Sequence, residues 1–337
     1  MLKAPHYFMI VTLLAIVALA WYQFRQPSYA HPIIEEKILE TPHFEFYHSF
    51  WLNLHHYLYQ QAKRDQFRYL DTSADEAILA QLSEEEKRIR QKAVDFYAAR
   101  LIDKHLLFND SLSQLKRQLI SFQENEALDS TSFGIEYERV ANNFAGIYSA
   151  YFWPVHATIS KQKLDSNSVN IKKFEASIFE RMEALAHREW PDEKLRIDLS
   201  VYTSGNSAYT SNRQMHSVIS TADQRSLGYH WTETIFHEAS HVLFSPSAPV
   251  AKEMNRVADS LEVELPRAQW HAVDFYIVGL LMEEQFASIG IDYSMYMVAN
   301  NVFGRRLTAS FKNSLDQYVN GQEPLNNTME ALVLGLK

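Results

Sequence analysis

From Leu195 to Tyr202 the chain alternates apolar and polar residues, Leu-Arg-Ile-Asp-Leu-Ser-Val-Tyr, the period-two pattern of a strand with one buried face. Ala208–Ser211 and Met215–Thr221 read as two more short strands, with Gly205-Asn206 as a turn. Elsewhere apolar positions return every three to four residues. Glu45–Asp65 carries Phe46, Phe50, Leu54, Tyr57 and Leu58 close to the helical period. Ser83 followed by Glu86 has the form of a capping box, opening a charged and then amphipathic helix to about His105. Further helices are expected over 111–127, 134–152 and 169–190, the last ended by Pro191. After Asp223–Gly228 the helical period resumes at Tyr229 and runs to the end, with breaks near Ser245–Pro249, Pro266, Gly290 and Gly321–Pro324. Helices, a small sheet, then helices: the expected class is mainly α with a small β-sheet (α+β).

The N-terminus has a different pattern. Lys3 precedes an uncharged run from Ala4 to Phe24, nearly all apolar between Phe8 and Ala20 and closed by Arg25. It is close to the ~20 residues that cross a bilayer, and it also has the layout of a secretory signal, with Ala18-Leu19-Ala20 as a cleavage site and Ser28-Tyr29-Ala30 as a poorer one. Residues 1–24 are therefore expected to be a signal peptide or an N-terminal membrane anchor. Positive charge before the run and acidic sequence after it predict that the rest of the chain is exported, either anchored on the periplasmic or extracellular side or secreted. Residues 25–44, with Pro27, Pro32 and Pro42, read as a linker. One large domain is expected over 45–337, helical over 45–190 and carrying the sheet and a metal site over 195–337.

Composition narrows the chemistry. The 337 residues contain no cysteine, which excludes disulfides, thiolate zinc sites, iron–sulfur clusters and thiol catalysis. A tightly held metal must be bound by histidine and carboxylate. The formal net charge of −9 argues against a nucleic-acid partner, since no excess of cations is available to displace counterions from phosphates. Only 9 Gly and 10 Pro argue against an all-β sandwich.

The informative string is His237-Glu238-Ala239-Ser240-His241. On a helix the two histidines stand one turn apart on one face, so both imidazoles can reach one zinc ion. Glu238 lies about 100° round the helix, placed to take a proton from a zinc-bound water without itself holding the metal. Trp231–Phe244 contains neither Gly nor Pro, and Ile235, Ala239 and Val242 give it an apolar side. The bland alternative is an amphipathic helix with two surface histidines. A di-iron carboxylate site needs two Glu-x-x-His copies; Glu238–His241 is one, but the other, Glu40–His43, contains Pro42.

With its short strand-rich segment upstream, the motif resembles the zincin metallopeptidases, in which a sheet precedes the active-site helix and an edge strand binds extended peptide. The resemblance assigns that edge role to Met215–Thr221. The metzincin extension is excluded, because Phe244 and Ser247 stand where Gly and His are required. For the third ligand three residues compete. Glu262 has about the gluzincin spacing but sits in an expected helix end and loop, Leu261–Pro266. His271 and Asp274 lie at i, i+3 on the next apolar helix, Arg267–Ser288, where burial would demand partners. The string His-Glu-Ala-Ser-His followed by Trp270-His271-Ala272-Val273-x-Phe275-Tyr276 is also similar to a poorly characterised group of exported bacterial zincin-type proteins, over about 215–280, and the similarity brings no substrate with it. His271 is the preferred third ligand. Tyr276, Tyr209 and His216 are candidate oxyanion donors. His55-His56 read as packing or solvent-facing residues, the alternative being that one lines the cleft; Glu283-Glu284 read as a solvated helix end and Glu84–Arg90 as a solvated face.

Two functions follow as expectations. One is a zinc-dependent hydrolase of the peptidase type, Glu238 serving as base, with a peptide or protein substrate. The other is an exported or membrane-anchored binding or assembly protein on the same scaffold without catalysis. In either case the membrane would be reached only through residues 4–24.

Overall fold

The computed structural model describes residues 37–63, 69–204 and 207–336. The N-terminal apolar run, most of the linker and the Gly205-Asn206 turn lie outside the described residues. Among those described, no helix is long and apolar enough to cross a membrane.

The fold is α+β. Five short strands form one mixed sheet: β1 (Leu39–Glu40), β2 (Phe44–Tyr47), β3 (Leu195–Ser200), β4 (Ala208–Ser211) and β5 (His216–Ser220). Their order across the sheet is β1-β2-β3-β5-β4. β2, β3 and β5 are parallel to one another, while β1 and β4 run antiparallel along the two edges. Two expectations are corrected here. The linker's C-terminal part and residues 45–47 belong to the sheet, because Phe44 and Phe46 alternate and pair with Leu195 and Ile197 in the core. And Met215–Thr221 is not the edge strand: β5 lies between β3 and β4, and Ala208–Ser211 is the edge.

Strand alternation divides the sheet's contacts between two cores. Phe44, Phe46, Leu195, Ile197, Leu199 and Ile219 face one core, shared with α6 (Trp153–Ala186), α7 (Tyr229–Ser240), α8 (Pro249–Ser260), α9 (Gln269–Ala287), α11 (Ala309–Val319) and α12 (Leu325–Leu334). Tyr209 and Val218 face the other, against α1 (Phe50–Ala62), α2 (Ser73–Leu79), α3 (Glu84–Arg100), α4 (Asp110–Leu119) and α5 (Gly134–Ile147). A short α10 (Tyr296–Ala299) follows α9. Because helices cover both faces, the polar side of β3 is buried as well. Asp198 is closed in by Arg196 at 2.6 Å and His216 at 2.7 Å, and the Arg196 guanidinium lies 3.9 Å over the Tyr47 ring. A buried charge survives only with such partners.

Local signals account for the helix ends. Ser83 and Glu86 form the expected reciprocal cap of α3. α6 begins earlier than expected, at Trp153, because Pro154 falls in the first turn, where a missing N–H is harmless. Its 34 residues span about 50 Å. A five-residue π-turn, Tyr148–Phe152, joins α5 to it.

Candidate metal centre

α7 runs through the interior, every residue from Trp231 to Ser240 being buried. Gly228 opens it at φ +55, a conformation open to glycine. Trp231 Nε1 donates to Ser220 O at 2.9 Å, fixing the helix beneath the sheet. His237 lies in its last turn and His241 is the residue that closes it. α9 crosses alongside and contributes His271 from its first turn and Asp274 one turn on.

These four side chains converge. His237, His241, His271 and Asp274 each offer a ligand atom, all within 4.8 Å of one another. His237 Nε2 lies 3.1 Å from His271 Nε2. Tetrahedral zinc with Zn–N of about 2.0–2.1 Å holds its nitrogens about 3.3 Å apart, so this spacing fits one shared ion. His241 Nδ1 lies 3.1 Å from Asp274 Oδ2, and His237 Nδ1 lies 4.0 Å from it. Those contacts are not on hydrogen-bond lines, and all three atoms are buried without a hydrogen-bond partner. Asp274 Oδ1 accepts from Ser240 Oγ at 2.7 Å, which ties the carboxylate to α7. A cluster of donors with orphaned lone pairs is the environment a cation satisfies.

The electrostatics suit metal binding. Burial holds His237 well below the ordinary imidazole value, and burial with the His241 and Arg306 charges brings His271 down to about 3. Both are neutral donors at physiological pH. Burial pulls His241 down too, but the Asp274 carboxylate outweighs it and the imidazole is raised overall. Asp274 itself is raised by burial.

Glu238 belongs to the same turn but faces the edge strand. Its Oε2 accepts from Thr210 Oγ1 at 2.5 Å, and the same hydroxyl contacts Ser217 Oγ at 2.7 Å. Burial raises the Glu238 carboxyl above its usual value, against the opposing pull of His241, the Thr210 hydrogen bond and Lys116. The turn after β4 is also tied to the site, since Asn212 Nδ2 donates to His241 O at 2.6 Å.

The other predicted site residues are engaged elsewhere. Glu262 is exposed in the loop after α8, at φ +52, and takes no part in the cluster. Tyr276 donates to Asp316 at 3.0 Å. His216 is bound to Asp198, and Tyr209 points to the opposite sheet face from Thr210, its hydroxyl 2.9 Å from His56 Nε2. His56 Nδ1 donates to Leu52 O and His55 meets Tyr97, so both are packing residues. Glu283 is half-buried and accepts from Met295 N at 2.9 Å, while Glu284 pairs with Arg181, so neither is simply a solvated end.

Two residues escaped sequence reasoning. Thr210 had no motif to mark it. Lys116 lies on α4, fully buried, with Nζ 2.8 Å from Ser211 Oγ, and burial pulls it down to about 7. A lysine on the apolar face of a helix between Leu112, Leu115 and Leu119 was the available sign. No protein-family model, curated protein or solved structure gives a match to this chain.

Proposed function

We propose that the protein is a zinc-dependent hydrolase that cleaves peptide bonds. The observation that carries the reading is the convergence of His237, His241 and His271 on one point, with Glu238 next in the chain to His237. These three imidazoles would hold the ion. Asp274 Oδ2, 3.1 Å from His241 Nδ1, would set a negative charge beside that imidazole or itself offer a fourth ligand atom. Bound zinc supplies a water of lowered pKa and polarises the carbonyl under attack.

The protein's own groups do the rest. Glu238, its carboxyl raised by burial, would accept the proton and pass it to the leaving amine. Thr210 holds that carboxylate against β4. On the zincin resemblance, an extended substrate would pair with the edge strand β4 rather than with β5. Export, by a cleaved signal or an anchor within residues 1–24, is part of the proposal and rests on the sequence alone.

The test is a pair of variants assayed on a mixed peptide pool. Glu238→Gln is expected to keep its metal and lose roughly 10²- to 10⁴-fold in turnover, while His237→Ala loses both metal and turnover. Undiminished turnover in Glu238→Gln contradicts the mechanism. The second reading, a non-catalytic binding protein, draws on the tie between Glu238 and Thr210 and on Glu238's 5% exposure. Stoichiometric metal without hydrolysis of any peptide would favour it.

A further inference from the structure

Three aromatic rings enclose the imidazoles. Phe275 lies 3.8 Å from His237 between ring centroids, Trp270 meets His241 edge-on at 5.7 Å, and Phe303 meets His271 edge-on at 5.5 Å. All three are only half-buried. The charge next to them is already committed. Arg306 lies 4.7 Å over the Phe303 ring and donates to Ala268 O at 3.1 Å and Arg267 O at 2.8 Å. It thereby staples the loop carrying Phe303 to the start of α9.

The backbone of this rim is strained. Phe303 sits at φ +54, Asn301 at +53 and Ala268 at +56. Left-handed geometry costs a non-glycine residue roughly 1–2 kcal/mol, and a bulky one is a true outlier there. Glycine would remove that cost at 303, so the ring is held where the backbone alone would favour its absence. Strain of this kind gathers where a side chain must be presented to a ligand.

We propose that Phe303, with Trp270 and Phe275, forms the wall of an apolar subsite next to the metal position, and that it selects substrates bearing an aromatic or large aliphatic side chain beside the bond cleaved. The inference rests on the hydrolase reading above. Burying a phenyl group against such a wall amounts to a preference of roughly tenfold or more.

The zinc-loaded full chain can be titrated with two chelators sharing one metal-binding head, acetohydroxamic acid and 3-phenylpropanohydroxamic acid, with metal content measured on the same samples. The unaltered protein should favour the phenyl compound by roughly tenfold or more. In Phe303→Gly that ratio should collapse towards one at full metal content, and Phe303→Leu should keep most of it. Should Phe303→Gly not fold, Trp270→Ala is to show the same collapse. No preference in the unaltered protein, or an unchanged ratio in the folded variants, overturns the subsite alone. A protein that takes up no zinc and binds neither compound overturns the hydrolase reading and the subsite with it.

Discussion

At the scale of single residues, the site combines neutral imidazoles with a carboxyl, that of Glu238, which burial raises. His237 and His271 are driven neutral by burial, so neither has to shed a proton to bind a cation. Glu238 is balanced differently: burial raises it, and the short hydrogen bond from Thr210 favours its charged form. Thr210→Val removes that bond. The acid limb of the kcat/KM–pH profile is then expected to move upward, while Thr210→Ser leaves it in place. An unmoved limb in Thr210→Val would show that Thr210 does not tune the base. The pairing of His237 with His241 was legible because i, i+4 on a helix needs no tertiary information. Asp274 and Thr210 were not equally legible: one is defined by how α9 crosses α7, the other by which strand forms the edge, and neither crossing nor strand order is written in local periodicity.

At the scale of elements, α7 and α9 form the platform, and their spacing depends on small contacts. Gly279 on α9 faces Met295, and a Cβ added there would meet Met295 Cβ and Sδ at 2.8 Å. In an open helix Gly→Ala gains about 1 kcal/mol. Here overpacking against a side-chain stem, costing about 1–3 kcal/mol, outweighs that gain. Gly279→Ala is therefore expected to lower Tm by a few degrees in thermal unfolding; a rise in Tm would mean that the α9–loop contact yields freely. The same scale explains where sequence reading fell short. The aromatic positions of Phe44–Tyr47 fit either a strand or a helical period. Pairing with β3, about 150 residues on, decides for the strand. The strand pattern of Leu195–Ser200 is plain, but its polar face, expected in water, is buried, with Asn53 of α1 bonded to Leu199 O. The capping box of α3 was found because both of its residues are local.

At the scale of the whole molecule, two cores meet across one sheet, and several buried acids couple stability to pH. Glu233, one turn before His237, accepts from Tyr293 Oη and, at 2.9 Å, from Tyr296 N, which anchors the segment after α9. Burial raises its carboxyl from 4.5 to about 7. The folded state thus holds this proton more tightly than the unfolded chain. The resulting stabilisation is complete below about pH 4.5 and is lost as pH rises through about 7, a change on the order of 3 kcal/mol. Glu233→Gln, which keeps an accepting oxygen, should remove this contribution. In urea unfolding of metal-free protein, the gap between variant and unaltered protein is expected to widen in the variant's favour from pH 4.5 to pH 7. A gap that stays constant across that window would place the titration elsewhere.

The functional expectations depend on one claim, that His237, His241 and His271 together hold a single metal ion. Elemental analysis of the full chain, purified without added metal and again after zinc loading and dialysis, tests it most directly. The account predicts one zinc per chain after loading, and less than roughly a tenth of that in His271→Ala, because two imidazoles alone do not complete the site. No stoichiometric metal in the loaded protein, or a full equivalent retained when all three histidines are replaced by alanine, would contradict it.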